Sequence, residues 1–346
     1  NGTKLMAMVK ASSYGAGKAP VASVLQYNHV DYLTVAYADE GVELRRNGIT
    51  LPIMIMNPEE ASFDDIVKFR LEPDIYSFRI LELFVAYLSA SVRTPLPFPI
   101  HIELDTGMHR LGFAQGDIQL LASRLDNLVG VLEVRSIFSH LACSEDPESD
   151  DFTRKQIACF ESWSRELDTS FCHPHKVLHH ILNSSGIARF PEAQMDMVRL
   201  GIGLYGIAPE VGVQAHLRQV SRLVTRISQI KDIPAGQPVG YNGRWKAPRA
   251  SRIAIIPIGY ADGLSRHLGY GCGRVSIGGK EAPIVGSICM DMCFVDVTEV
   301  ECTEGDPVIL FGEGDLLQRN ATAAGTIPYE MLTSVSPRVK RVYFRE

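Results

Sequence analysis

No apolar run in this 346-residue sequence approaches the ~18–20 residues that a membrane-spanning helix needs. No long basic run occurs either, and a formal net charge of -6 gives no electrostatic footprint for nucleic acid. Membranes and nucleic acids are therefore not expected partners. Seven cysteines, odd in number and scattered without a CxxC pair, make no disulfide framework. Such usage fits a reducing compartment, and a cytoplasmic protein is expected. Internal repeats, low-complexity segments and a recognisable signal peptide are also lacking. What remains is 46% hydrophobic and 21% charged, an ordinary globular composition. It is long enough for two domains, or for one large barrel with an appendage.

Short apolar runs at 6–11, 32–37, 52–56, 73–77, 100–105, 134–141, 179–183 and 197–205 read as strands. Amphipathic segments at 19–27, 39–47, 59–69, 78–91, 114–126 and 151–168 read as the helices between them. Near-continuous apolar strands alternating with helices argue for a parallel sheet covered on both faces. The count of eight favours a (β/α)8 TIM-type barrel, since a doubly wound sheet usually stops at about five to seven strands. After about residue 217 the texture changes to strand-like runs punctuated by glycine and proline, with a hairpin signal at Gly278–Gly279. The expected organisation is an α/β barrel over 1–217 followed by a mostly β domain over 218–346.

In such a barrel, functional groups collect where strands end. Lys10 ends the first predicted strand, Arg110 follows the fifth, His140 ends the sixth and Ser184 the seventh, while Arg199, Gly201 and Ile202 lie on or beside the eighth. One polar residue at a strand end is unremarkable; several on one face are not. A partly desolvated Lys10 would have its ammonium pKa pulled down, freeing an amine to act as nucleophile or base. The neighbouring GAGK is not a phosphate-binding P-loop, because Ser12 stands where the first glycine belongs and Ala19 where Ser or Thr belongs. NSSG and RLGIG offer hydroxyl and backbone donors suited to an anion. Histidine-rich FCHPHKVLHH reads better as a solvated connection than as a zinc site, since Pro174 disfavours a helix there, and no metal is expected. In HIELD, the alternating His101, Glu103 and Asp105 fit barrel packing or an ion pair. Tyr241, Tyr260 and Met290 each sit beside glycines, which by itself indicates turn packing.

Together these strings resemble the alanine racemase family, pyridoxal-phosphate enzymes of fold type III. VKASSYGAG is similar to the family's cofactor-lysine motif AVVKANAYGHG, and DTGMHRLG, SHLACSED, NSSG, MVRLGIGLYG, VGYNG, GYADG, GSICMD and PYEML follow in the family's order. The resemblance covers essentially the whole chain. It implies a barrel, an eight-stranded-type β domain, and a head-to-tail homodimer whose sites lie between a barrel and the partner's β domain. It implies that pyridoxal 5'-phosphate is held covalently by Lys10, its phosphate by Tyr14, Ser184, Tyr329 and the backbone of Gly201 and Ile202, and its ring nitrogen by Arg199. Arg110 and the backbone N–H of Met290 would grip the substrate carboxylate. Lys10 and Tyr241 would be the two bases that interconvert L- and D-alanine for peptidoglycan, with His140 linking Tyr241 to Arg199. Tyr260 and Arg266 would line the entrance.

Three departures from the family pattern carry expectations of their own. Many members have, seven residues before the arginine matching Arg110, a lysine whose carbamate steadies it; here Glu103 stands there and is expected to pair with Arg110 directly. Glu145 replaces an aspartate, and Ser287 replaces an entrance arginine, which leaves room for a serine or broad-specificity racemase. The strand and helix that usually precede the lysine are not in this sequence, which suits a longer or fused polypeptide. A cofactor-binding regulatory barrel without a β domain is disfavoured by Tyr241, Met290 and Tyr329.

Overall fold

The computed structural model describes residues 2–91 and 95–344. Two compact units are present: the chain to Ser13 with Gly17–Leu217, and Tyr14–Ala16 with the chain from Arg218.

The first unit is built on eight strands, β1 (Lys4–Met8), β2 (Tyr32–Val35), β3 (Ile53–Ile55), β4 (Glu72–Ile75), β5 (Phe98–Glu103), β6 (Leu132–Phe138), β7 (Leu178–His180) and β8 (Met197–Leu200). They pair in parallel in the order β7-β6-β5-β4-β3-β2-β1-β8. Between β7 and β8 the circle is completed by the Asp196 N–H donating to the His179 carbonyl at 3.2 Å and the Arg199 N–H donating to the Leu182 carbonyl at 3.0 Å. All eight expected strands are present, yet each stops short of its expected C-terminal end. The reason is visible after β8, where the buried apolar residues Ile202 and Tyr205 belong to a 3-10 turn, Ile202–Tyr205. Apolar character continues through the turns at the ends of buried strands, so hydrophobicity alone overruns them.

Side chains alternate across a strand, which sorts each one to the barrel's inside or outside. Leu33, Val35, Ile53, Ile55, Ile100 and Ile102 pack outward in one large core with residues of the surrounding helices, including Phe63, Phe84 and Leu121. Inside, β1–β3 contribute Met6, Tyr32 and Met54, which cluster with Phe138 and Met197. The alternate, inward positions of β4–β8 are instead occupied by buried polar groups: Glu72, Asp74, His101, Glu103, Ser136, His180 and Arg199. Half of the barrel interior is thus greasy and half is polar.

The helices expected over 19–27, 39–47, 78–91 and 151–168 form as Lys18–Tyr27, Ala38–Arg46, Phe78–Ala90 and Asp150–Thr169. Those expected over 59–69 and 114–126 each begin with a 3-10 turn before Phe63–Lys68 and Ile118–Asp126. A further short helix, Ser184–Arg189, starts at the Asn183 cap, whose side chain accepts from the Gly186 N–H. Among the described residues no helix is long and apolar enough to cross a membrane.

The second unit contains β9 (Leu223–Arg226), β10 (Gln229–Ile233), β11 (Pro238–Val239), β12 (Trp245–Lys246), β13 (Ser251–Ile256), β14 (Arg274–Ile277), β15 (Lys280–Val285), β16 (Cys293–Asp296) and β17 (Pro307–Phe311). Seven form an antiparallel sheet in the order β10-β13-β16-β15-β14-β17-β9, and β11 with β12 makes a separate ribbon, so the eight-stranded expectation is corrected. Gly278 and Gly279, at φ of 56° and 79°, make the two-residue turn that pairs Ile277 with Lys280. Two helices that the strand-like texture concealed, Leu316–Ala323 and Pro328–Thr333, also belong here. Within this unit Gly15 (φ 79°) lies so close to the Leu332 carbonyl that any Cβ would collide with it. The Gly15 carbonyl accepts from Nε and Nη2 of Arg341 at 3.2 and 3.1 Å.

Phe84 meets Phe63 and Phe98 edge-on at centroid distances of 5.0 and 5.4 Å, with no exposed surface. Replacing Phe84 by Ala is expected to cost about 3–5 kcal/mol through lost burial and the cavity left behind. Urea unfolding of the first-unit transition measures it.

Candidate active site

Lys10 follows β1, and the backbone turns sharply just beyond it. Ala11, Ser12, Ser13 and Tyr14 all have φ between 50° and 57°, a left-handed helical turn. Each such residue costs roughly 1–2 kcal/mol for a side chain with a Cβ, so something must hold it. The Glu40 carboxylate is one clamp, accepting from the Ser12 N–H at 3.4 Å and from the Ala36 N–H at 2.9 Å. The Ser13 N–H donating to the Val9 carbonyl at 3.0 Å is another. Strand periodicity carried the expected β1 through Ala11; this turn is why it ends earlier. Burial lowers the Lys10 ammonium from its usual value, Arg110 and Arg199 press the same way, and Glu40 partly opposes them. A lysine that sheds its proton more readily is a better nucleophile and base.

Arg110 is presented by a tight loop after β5. The Asp105 carboxylate accepts from the N–H groups of Gly107 and His109 at 3.1 and 2.9 Å and from His109 Nδ1 at 3.0 Å. Two backbone bonds join Asp105 and Glu103 to Phe113, and a Cβ at Gly112 would come within 2.6 Å of the Asp105 nitrogen. The loop closes only because that position is glycine. Arg110 itself is exposed and makes no ion pair among the described residues.

Arg199, by contrast, is 2% exposed. Its Nη1 donates to His180 Nδ1 at 2.7 Å and to the His180 carbonyl at 3.3 Å; Nη2 donates to the Ser139 and Ile181 carbonyls at 2.6 and 3.0 Å and to His140 Nδ1 at 3.2 Å. The guanidinium lies over the Phe138 ring at 5.2 Å, and that ring stacks on His180 at 5.2 Å. Burial lowers the Arg199 pKa to about 10, so it stays charged at neutral pH. Burial and the neighbouring cations hold both His140 and His180 well below the usual histidine range, so both rings are neutral. Of the five Arg199 N–H groups, the one on Nε has no acceptor among the described residues.

At the ends of β7 and β8, Ser184 Oγ accepts from the N–H groups of Gly201 and Gly203 at 2.9 and 3.3 Å. The Ser184 hydroxyl thus sits at the head of the 201–203 backbone turn, with two of its N–H groups aimed at it. A phosphate attracts such donors.

Lys10, Arg110, His140, Ser184, Arg199, Gly201 and Ile202 therefore collect around the C-terminal ends of the barrel strands. The other expected site residues lie in the second unit. Tyr14 and Tyr329 face each other there with ring centroids 6.0 Å apart. Gly240 fits against Ser287, whose hydroxyl accepts from the Tyr241 N–H at 3.1 Å. Backbone N–H groups of Tyr260 and Ala261 donate to the Cys289 and Met290 carbonyls, both at 3.0 Å. Tyr241 is 69% exposed, Met290 53% and Tyr260 43%, and Arg266 is exposed as well. Large side chains are thus left bare on the second unit.

Two sequence readings need correction. Glu103 does not pair with Arg110. It points into the barrel, where Asp74, on the adjacent strand, lies beside it. Both are buried, and neither Asp74 oxygen has a hydrogen-bond partner at ordinary distance. The two faces of a strand explain the error: Glu103 is on the inward face of β5, whereas Arg110 rides on a loop that has already left the strand. Nor is FCHPHKVLHH solvated throughout, for His180 is fully buried as the partner of Arg199. His173 and His175 at its start sit against Asp168 and Glu133, and no cluster of three metal-ligating side chains occurs among the described residues.

The family comparisons decide between enzymes built on this scaffold. The model described as alanine racemase, N-terminal domain, matches residues 1–209, and that for the C-terminal domain matches residues 220–343. The chain belongs to the alanine racemase family. An alanine racemase 1 of Clostridium acetobutylicum is 36% identical, with 99% of this chain and 89% of that protein covered. Among solved structures, the alanine racemase of Clostridium difficile superposes with a TM-score of 0.90 at 34% identity, covering 99% of this chain and 90% of that one. The Bartonella henselae alanine racemase, with covalently bound pyridoxal phosphate, superposes with a TM-score of 0.87 at 31% identity and covers 99% and 93%.

Burial raises the Asp74 carboxyl well above its usual range and Glu103 adds to this; burial raises Glu103 too, against the pull of Asp74 as a donor and of Arg110 and Arg199. A carboxyl whose pKa is higher folded than unfolded binds more protons in the native state, so stability falls as pH climbs from about 4, the unfolded carboxyl range, toward the raised native values. Asp74→Asn keeps a donor facing Glu103 and removes the charge. It is expected to raise the melting temperature by about 2–4 °C at pH 7 and to change it little at pH 4, as followed by thermal scans at both pH values.

Proposed function

We propose that this chain interconverts L- and D-alanine by a two-base mechanism in which Lys10 works on one face of the substrate and Tyr241 of a second protomer on the other. Pyridoxal 5'-phosphate is the cofactor, and when bound it supplies the electron sink that makes the alanine Cα–H acidic. The donor set suits it. Lys10 offers an amine whose proton is loosely held, Ser184 with the backbone of Gly201 and Ile202 offers donors for a phosphate, and Arg199 keeps one N–H in reserve for a ring nitrogen. Tyr14 and Tyr329 are assigned to the phosphate as well.

Arg110 is assigned to the substrate carboxylate, which its fork matches and for which it has no competing partner. The Met290 N–H is assigned to the same carboxylate. Lys10 moves the proton of D-alanine and Tyr241 that of L-alanine. Phenols in water ionise only near pH ~10, so one acting as a base at neutrality needs help. His140 supplies it: with Nδ1 accepting from Arg199, the ring must carry its proton on Nε2, which is free to steady a phenolate. Arg199 sets the outcome of the reaction. A guanidinium donates a hydrogen bond to the ring nitrogen without giving up a proton, so the sink stays modest and the proton returns to Cα.

The single observation carrying the cross-protomer arrangement is the exposure of Tyr241 beside Ser287 in the second unit, whereas Lys10, Arg110, His140 and Arg199 belong to the barrel. A homodimer in the cytoplasm, supplying D-alanine for peptidoglycan, is the setting proposed. Ser287 at the entrance favours a second reading, in which serine is also accepted, and a profile of several L-amino acids distinguishes the two.

Borohydride reduction of the holoenzyme is expected to abolish its absorbance near ~420 nm and leave the adduct on Lys10. Tyr241→Phe is expected to slow α-hydrogen exchange of L-alanine by about 10²–10⁴-fold. Mixing the inactive Lys10→Ala and Tyr241→Phe variants and allowing exchange of protomers should restore about a quarter of the activity, because each mixed dimer has one intact site. No recovery would place both bases in one protomer. Arg199→Glu should slow racemisation and increase transfer of the amino group to the cofactor; an unchanged ratio would remove Arg199 from its assigned role.

A further inference from the structure

The polar half of the barrel interior contains a chain of contacts that the racemisation chemistry does not explain. His180 Nε2 lies 2.9 Å from Ser136 Oγ, Ser136 Oγ lies 2.6 Å from His101 Nδ1, and His101 Nε2 lies 3.0 Å from Glu72 Oε2. With the Arg199–His180 bond at 2.7 Å, the series runs from the third residue of β8 through β7, β6 and β5 to the first residue of β4. His101, Ser136 and His180 have no exposed surface. The Tyr32 ring holds His101 edge-on at 5.8 Å, and Phe138 holds His180 face-on.

Donor and acceptor roles along this series are fixed from one end. A guanidinium only donates, so His180 Nδ1 accepts. His180 is neutral, so its Nε2 carries the proton and donates to Ser136. Beyond it, Ser136 Oγ and His101 Nδ1 share one hydrogen bond, and His101 Nε2 donates to the Glu72 carboxylate, which only accepts. At the Arg199 end the direction is forced, since reversing that link would set two donors face to face. A cation at the catalytic end and a carboxylate at the base of the barrel are thereby joined through buried rings and a hydroxyl.

We infer that Glu72, His101 and Ser136 are positioning residues for Arg199: they fix the ring plane of His180, which in turn directs the guanidinium so that its Nε–H is the one left for the cofactor's ring nitrogen. None of the three is placed to touch substrate. Their effect falls on reaction outcome, because an Arg199 free to rotate offers the ring nitrogen a poorer hydrogen bond and guards less well against misdirected protonation. The inference rests on the role given to Arg199 above.

The test uses holoenzyme with ¹⁵N-labelled histidine and two readouts. Ring nitrogen shifts in the wild type are expected to show His180 with a bare Nδ1 and a protonated Nε2. Ser136→Ala is expected to move the His180 Nε2 resonance, as its bond to the hydroxyl is lost, and to raise the ratio of amino-group transfer to racemisation about tenfold, with Ser136→Thr recovering both. Glu72→Leu, at the far end of the series, should shift both readouts in the same direction, and Glu72→Gln, which retains an acceptor, should shift them less. Should Ser136→Ala not fold, the Glu72 pair decides the matter alone. Protonation of His180 at Nδ1 in the wild type would overturn the inference. So would relay variants with the wild-type ratio in a protein where Arg199→Glu does raise amino-group transfer. An Arg199→Glu variant with an unchanged ratio would instead overturn the role of Arg199 itself.

Discussion

A permanent positive charge sealed inside a barrel governs how the rest of this molecule is arranged. Arg199 cannot escape to water and stays protonated, so four of its five N–H groups are absorbed by carbonyls and imidazoles contributed by β6, β7 and the turns that follow them. Meeting that demand fixes the spacing of β6, β7 and β8 and makes two histidines neutral. It also explains why half of the barrel interior is polar, although a barrel core is ordinarily filled with branched apolar side chains. Such an interior is costly unless every member is satisfied. Asp74 and Glu103 are where satisfaction is weakest, and a proton held between two carboxyls is the physical remedy.

The second constraint is the left-handed turn beyond Lys10. Four consecutive residues with a Cβ in that conformation store strain that would relax if the backbone were free. Glu40 holds it from the helix that follows β2, so the Lys10 amine is located by a carboxylate about thirty residues away in sequence. Strain beside Lys10 and desolvation around Arg199 act toward one end: groups with altered proton affinity are kept in place before any ligand arrives.

Much of this was legible in the residues alone. Eight apolar runs separated by helical periods announced the barrel, and polar residues at their ends announced the face that carries chemistry. The Gly278–Gly279 turn was readable because its conformation requires glycine. Other features were hidden for identifiable reasons. A single sequence does not say which strand face a residue takes, so Glu103 seemed free to reach Arg110. His180 was lost among four neighbouring histidine and cysteine residues, two of them exposed, although its place two residues before the end of an apolar run was the available clue. Ser136 and Glu72 gave no local signal, since a serine or glutamate inside a strand acquires meaning only from its neighbours in space. The helices Leu316–Ala323 and Pro328–Thr333 are short and lie among glycine-rich turns, where a helical period has too few residues to register.

The bond between Arg341 and the Gly15 carbonyl spans 326 residues of sequence. A chain emerging from the ribosome has made β1 and Lys10 long before it makes the arginine that secures the bend just behind them. Contacts of such separation form late and close a very large loop. Barrel strands and their helices can pair as they appear, but the bend at Gly15 waits for Arg341 to be made. Folding order here is set by separation along the chain.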